Sequence, residues 1–380
     1  MKQGWEYKKL GEVCNITMGQ SPDGKSINDN EGVEFHQGKT CFGERTLGVS
    51  CLFSNAPVKL AEANSVLLCV RAPVGYPNIT NRKICIGRGL CALYAKENID
   101  NTFLFYSLLG KQSHFEKNAT GSTFKAISSK VISNTEIPFP PKSTQLSIVS
   151  ELDKINELIR LKKEQLKDYD NLAQSIFYEM FGDPVENEKG WEVKKLGEVC
   201  SQITDGTHNS PTNTKNGDFK YVTAKNIKKE GIVLDNITYV DADTHHSIYS
   251  RCNPEYGDIL YIKDGATTGI ATINNLNEEF SLLSSVALLK LEDKIINYYL
   301  KAVLNTPSLY NCIRTNMGGA AITRLTLVKI KAIKIPLPPL PLQHLFAQRI
   351  EHIERQKSAV QQSITDLETL LASRMQYWFE

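Results

Sequence analysis

Two short loops join an aromatic residue to an amide and a lysine, a combination suited to reading a nucleic acid. They are Phe35-His36-Gln37-Gly38-Lys39 and Tyr221-Val222-Thr223-Ala224-Lys225-Asn226. Gln and Asn bond adenine bidentately in the major groove, whereas Lys and Arg take guanine or phosphate, which marks Gln37, Lys39, Lys225 and Asn226. Arg71-Ala72-Pro73 and Lys263-Asp264-Gly265-Ala266-Thr267-Thr268 each follow a strand-like run and read as corresponding places, adding Arg71, Lys263, Thr267 and Thr268. Gly121-Ser122-Thr123-Phe124-Lys125 and Gly318-Gly319-Ala320-Ala321-Ile322-Thr323-Arg324 offer backbone amides and a cation to phosphate, through Ser122, Thr123, Lys125 and Arg324. The Asp205-Gly206-Thr207-His208 turn contributes Thr207 and His208. Any one of these resembles an ordinary surface loop; their recurrence in both halves is what points to DNA.

Charge points the same way. The formal net charge is only +2, but the distribution is uneven. From Ala63 to Lys96 there is no acidic residue, yet Arg71, Arg82, Lys83 and Arg88 fall there. From Lys294 to Ile350 there is again none, alongside Arg314 and Arg324. Basic stretches without acids are what a phosphate-contacting face requires.

Catalytic constellations are missing from the sequence. It contains no G-x-x-x-x-G-K-S/T, no G-x-G-x-x-G after a strand and no H-E-x-x-H. Asn253-Pro254-Glu255-Tyr256 lacks a second proline and has no glycine-rich loop upstream, and Glu255-Tyr256-Gly257-Asp258 reads as a turn before the Ile259–Ile262 strand. Asp241 and Asp243 beside His245 and His246 read as a solvated loop rather than a metal site. Nine cysteines without a C-x-x-C suggest reduced, buried thiols. No apolar run of membrane length and no apolar leader is seen, so a soluble cytoplasmic chain without cofactor or metal is expected.

The elements that must position these loops are stated twice. Gly4–Cys14 (GWEYKKLGEVC) and Gly190–Cys200 (GWEVKKLGEVC) agree at ten of eleven positions. Ile137-Pro138-Phe139-Pro140-Pro141 returns as Ile335-Pro336-Leu337-Pro338-Pro339, with Gln145 matching Gln343. Between these ends lie strand candidates at Val66–Val70, Ala92–Tyr94, Tyr221–Thr223, Ile259–Ile262 and Val286–Leu291, and helical stretches over Asn101–Phe115 and Ile295–Ile313. After the prolines the period turns helical. Ile148, Leu152, Ile155, Ile159, Lys162, Leu166, Tyr169, Ala173, Ile176 and Met180 keep 4-3 spacing, as do Phe346, Ile350, Ile353, Lys357, Val360, Ile364, Leu367, Leu371, Arg374 and Trp378. That is a coiled-coil seam.

The expected fold is therefore α+β: two globular domains at opposite ends of a long antiparallel two-helix coiled coil, with an internal pseudo-two-fold repeat. The expected boundaries are 1–142, 143–182, 183–340 and 341–380. Near-identical ends around divergent middles suggest one scaffold holding two separately tuned reading surfaces.

On its paired GW-x-x-K-K-L-G-E-V openings, Gly121–Lys125 and the two I-P-x-P-P…Gln brakes, the chain resembles a specificity subunit of a type I restriction–modification system. Arg71-Ala72-Pro73-Val74-Gly75 and Ile86-Gly87-Arg88-Gly89 are similar to motifs of first-half target-recognition domains, and the resemblance covers essentially the whole length. It departs at Gly318-Gly319-Ala320-Ala321, where the Ser-Thr pair is missing. The resemblance implies a non-catalytic subunit that reads a bipartite asymmetric sequence in double-stranded DNA. It implies two methylation subunits that modify adenine with S-adenosylmethionine, and two ATP-driven restriction subunits, as partners. The competing reading is a coiled-coil adaptor that binds proteins without DNA specificity.

Overall fold

A computed structural model describes residues 5–121, 125–315 and 324–379. The chain divides into two compact units, residues 1–163 with 362–380 and residues 164–361. Both are α+β and both follow one local plan.

In the first unit the repeated opening folds as a strand, Glu6–Lys9, that runs straight into a one-turn helix, Leu10–Val13. Leu10 and Val13 point into the core, and the Glu12 carboxylate accepts from the Lys9 amide at 3.3 Å, closing the turn. The strand pairs antiparallel with Glu136–Phe139, placing Tyr7 opposite Pro138. A two-stranded ribbon tolerates that proline because its missing N–H faces no second neighbour. Four antiparallel strands follow in the spatial order Cys14–Met18, Leu90–Ala95, Val66–Cys69, Pro77–Ile79. A second sheet joins Val33–His36 in parallel to Ile84–Ile86.

The second unit repeats the plan. Glu192–Lys195 pairs with Lys334–Leu337, with Val193 opposite Pro336. Cys200–Asp205, Val286–Leu291, Ile259–Ile262 and Ala271–Ile273 form the four-stranded sheet. Phe219–Val222 joins Phe280–Leu282 in parallel. The expected single helices are each broken in two: Asn101–Leu109 then Gln112–Lys117, and Asn297–Asn305 then Pro307–Thr315. Gly110 makes the first break, while Pro307 opens a new helix at the one position where its missing N–H costs nothing.

Two helices of 40 residues, Lys142–Phe181 and Leu340–Phe379, carry the heptad pattern. All ten expected seam positions in each are buried or half-buried. In the first unit Glu151 meets Arg374 and Trp378, while Lys163 meets Glu368 at 3.0 Å. In the second, Lys357 pairs with Asp170 at 2.7 Å and Phe181 packs on Phe346 at 5.2 Å. Within each unit, then, the two helical segments run in opposite directions. Lys357 and Arg374, which break the apolar seam, are thus ion-paired.

Gln145 and Gln343 lock helix to domain. Each side chain is fully buried. The Gln145 oxygen accepts from the Asp100 amide at 2.9 Å, and its nitrogen donates to the Asn98 and Pro140 carbonyls. Gln343 does the same with Ile296, Lys294 and Pro338.

Candidate nucleic-acid interface

In the first unit, loops from five places are stitched edge to edge by backbone hydrogen bonds. Gln20 N–H donates to Ile86, Gly87 to His36, Gly89 to Gln37, Val70 to Gly89, and Ile127 to Val70, all between 2.8 and 3.1 Å. The ladder therefore assembles Gln20-Ser21, Gln37, Arg71, Arg88 and Lys125 on one face. Arg71, Arg88 and Lys125 are exposed and make no ion pair among the described residues. Gln37 is exposed and its side-chain oxygen accepts from Ser21 at 2.8 Å. Lys39 lies over the Tyr76 ring at 4.5 Å, a contact that leaves its charge available.

The second unit builds the same ladder with other residues. Thr207 N–H donates to Leu282, Leu283 to Val222, Lys263 to Ser285, and Leu325 to Lys263, between 2.8 and 3.0 Å. Gly206 and Gly19 hold equivalent places: a Cβ on Gly206 would sit 1.9 Å from the Leu282 carbonyl oxygen, and one on Gly19 2.2 Å from that of Gly87. Only glycine allows the loops this close.

The equivalence shifts the expected correspondence by one residue. Lys263 matches Val70, and Asp264 matches Arg71. Because strand side chains alternate between faces, a one-residue step exchanges inside for outside. Lys263 is accordingly buried, only 2 % exposed, and pairs with Asp205 at 3.2 Å and Asp264 at 3.4 Å. It belongs to the interior, contrary to the expectation that it faces DNA. Thr268 is likewise buried, donating to the Gly265 carbonyl, and the buried Asn226 amide closes the Thr223 turn at 3.0 Å. Arg314 donates to the carbonyls of Ala266 and Thr268, which holds that loop in place.

Arg82 is another internal brace. It grips Glu34 through two hydrogen bonds of 2.6 Å and donates to the Leu47 and Gly48 carbonyls. Burial pushes the Glu34 carboxyl up, but Arg82, the Ser50 amide and His36 outweigh it and hold its pKa at about 2. Lys83 pairs with Glu62 at 2.7 Å on the surface. Both acids come from outside the acid-free stretch that contains these two cations.

What remains exposed in the second unit is a different set. Lys225 and Thr267 point outward. His208 is 3.3 Å from Asp205, and Thr207 bonds the Asn209 carbonyl. Arg324 is more than half exposed and is held by Asp264 at 3.2 Å. Ser122 and Thr123 lie outside the described residues, as does the segment 316–323. Asp241 caps a helix, Ala242–Tyr249, rather than lying in a loop, and His245 is buried against Phe219 at 3.8 Å between ring centroids. Among the described residues no group of three or more His, Cys, Asp or Glu is placed to hold a metal. No helix there is long and apolar enough to cross a membrane.

Sequence reasoning passed over Gln20, Ser21 and Arg251, which donates to the Gly206 carbonyl. Gly19 follows Cys14 by five residues and Gly206 follows Cys200 by six, so the echo continues past the repeat but slips. A register shift between Cys200 and Gln202 absorbs the extra residue as a bulge.

Comparison with known proteins agrees with this twofold plan. The family described as "Type I restriction modification DNA specificity domain" matches residues 2–168 and 188–369. A Methanocaldococcus jannaschii protein named as the MjaX type I restriction enzyme specificity subunit is 38 % identical over 178 residues, which is 46 % of this chain and 42 % of that protein. The MjaIX specificity subunit of the same organism is 22 % identical over 91 % of this chain and 86 % of its own length. The fold is shared with the crystal structure of a type I restriction–modification S subunit from M. genitalium, at a TM-score of 0.58 and 18 % identity, covering 99 % of this chain and 96 % of that one. It is shared too with a chain from a structure of type I R-M complex assembly, at a TM-score of 0.65 and 20 % identity, covering 100 % and 98 %. Matched twice, over nearly all of its length, the chain belongs to the type I restriction–modification DNA specificity family.

Proposed function

We propose that this chain is the non-catalytic DNA-reading subunit of a type I restriction–modification complex, with one half-site of an asymmetric target taken by each loop ladder. The observation that carries this is the ladder itself, built twice by equivalent backbone bonds and dressed with different side chains. In the first unit Arg71, Arg88, Lys39 and Lys125 supply unmatched charge for phosphate or guanine, and Gln37 an amide for adenine. In the second, Arg324 is braced by Asp264 as a guanine reader would be, with Lys225, Thr267, Thr207 and His208 around it. Lys263, Thr268, Asn226, Arg314 and Arg82 shape the loops from within.

The two long helices, on this reading, form an antiparallel coiled coil along their whole length. It separates the two reading domains, 1–142 and 183–340, and its spacer segments, 143–182 and 341–380, seat two methylation subunits and two restriction subunits. The opposite running of the helices inside each unit supports this. S-adenosylmethionine and ATP chemistry then belongs to the partners, and the setting is the cytoplasm, where the DNA is. The test is DNA binding by the chain assembled with its methylation partner, titrated across salt concentration. Affinity should fall steeply with salt. Salt-independent or absent DNA binding by an intact complex would favour the protein-adaptor reading.

A further inference from the structure

One short loop of the first unit turns its polar side chain in and its apolar side chains out. In Val49-Ser50-Cys51-Leu52, Ser50 is only 7 % exposed, whereas Val49 is 76 % and Leu52 44 % exposed. Cys51 is exposed as well. The Ser50 hydroxyl donates to the Phe35 carbonyl at 2.8 Å and accepts from the Leu52 amide at 3.1 Å.

A single exposed valine is ordinary on a protein surface. This one differs because its backbone is fixed from within on both sides. Arg82 donates to the Leu47 and Gly48 carbonyls at 3.2 and 2.9 Å. Glu34, the partner of Arg82, accepts from the Ser50 amide at 2.7 Å. One half-buried ion pair therefore grips the chain just before and just after Val49 and holds that side chain outward.

The loop also has a fixed place. The Phe35 amide donates to the Leu52 carbonyl and the Gly48 amide to the Cys41 carbonyl, both at 2.8 Å. Phe35 precedes Gln37 by two residues and Cys41 follows Lys39 by two. The loop is thus bonded on either side of Gln37–Lys39 and runs beside that part of the first reading face.

We propose that Val49 is a base-reading residue of the first unit, packed against the C5 methyl group of a thymine in the major groove. Thymine is the base that presents a methyl group there, so an apolar side chain next to Gln37 and Lys39 adds a discrimination that neither of them supplies. The inference rests on the DNA-reading assignment of the first ladder and names one contact within it.

The test uses the chain assembled with its methylation partner and a target in which each thymine is replaced in turn by deoxyuridine. That base keeps the hydrogen-bonding groups of thymine and lacks only the methyl group. At one position the parent complex should bind the replaced target about fourfold more weakly, the worth of one buried methyl-sized group. In the Val49→Ser complex that difference should vanish. The base replacement leaves the protein untouched, so the first comparison decides even if the variant fails to fold. Sequence-specific binding without a methyl-sensitive thymine, or a sensitivity that Val49→Ser leaves in place, would overturn this inference and leave the DNA-reading assignment standing. Absence of DNA binding by the parent complex would overturn both. A folded Val49→Ser chain that no longer assembles with its methylation partner would give the loop to a protein contact and overturn the thymine contact.

Discussion

The two loop ladders share a backbone and differ in how they hold charge. In the first unit Arg71, Arg88 and Lys125 stand on the face without carboxylate partners among the described residues, and the half-buried acid Glu34 serves Arg82 behind it. In the second unit acids come up to the face: Asp264 holds Arg324, and Asp205 lies 3.3 Å from His208 and pairs with Lys263 in the interior behind it, while Lys225 has no ion pair among the described residues. Free surface cations act at a distance and on any phosphate. A cation fixed by a carboxylate has one geometry, which favours a particular base over a general backbone contact. The comparison teaches that a duplicated scaffold can be tuned by moving acids as well as bases.

The largest effect should come from breaking the buried pair of the second unit. Lys263→Ala leaves Asp205 buried without its main counter-ion, and removing one partner of such a pair costs about 3–5 kcal/mol. Arg71→Ala, at the neighbouring ladder position of the first unit, should change stability by no more than about 0.5 kcal/mol. Chemical denaturation of both variants checks the contrast; equal losses would remove it.

Gln145→Ala and Gln343→Ala should each cost about 3 kcal/mol. Each strands one buried amide and two carbonyls, at roughly 1–3 kcal/mol for an unsatisfied group with partial relief by water. Here the two units should behave alike, because the locks are equivalent bond for bond. A large loss in one and none in the other would show that the equivalence is only apparent.

At the reading face the effects should be smaller and different in kind. Arg324→Ala should reduce discrimination at one position of its half-site by about 1–3 kcal/mol. Arg71→Ala should weaken binding across sequences and make the salt slope shallower by about one. Competition binding with altered targets at several salt concentrations separates the two outcomes.

A further effect concerns acid. The Glu34 carboxyl sits at about 2 in the folded chain against an ordinary 4.5. Its stabilisation is therefore present above about pH 4.5 and lost as pH falls through 2. The stability gap between the parent chain and Glu34→Gln should be full near neutrality and close progressively below pH 4.5. A gap that stays constant down to pH 2 would mean that Arg82 does not hold the ionised form.

Much of this was legible in the sequence. The proline brakes and the 4-3 spacing located both long helices, because short local patterns decide such elements; the near-identical openings marked the repeat, but their pairing into edge ribbons is a contact between distant segments that no local pattern announces. The site was less so, for a physical reason visible at Lys263. A strand end places its side chain inside or outside by one residue, and no composition rule counts that finely. The acid-free stretches misled in the same way: Arg82, Lys83 and Arg324 find their carboxylates in Glu34, Glu62 and Asp264, distant in sequence and adjacent in space. Gln20 and Ser21 escaped notice because a bulge in the second copy put the echo out of step.

The central claim is that each ladder reads its own half-site, and the most direct measurement exchanges one of them. Residues 14–139 would be replaced by the matching region of another specificity subunit, between ends that the two copies share. The chimera would be expressed with the partner genes, and the methylated adenines of the host genome sequenced. The account predicts a new motif on one side of the unread spacer, with the other side and the spacer length unchanged. A motif altered on both sides, or on neither, would contradict it.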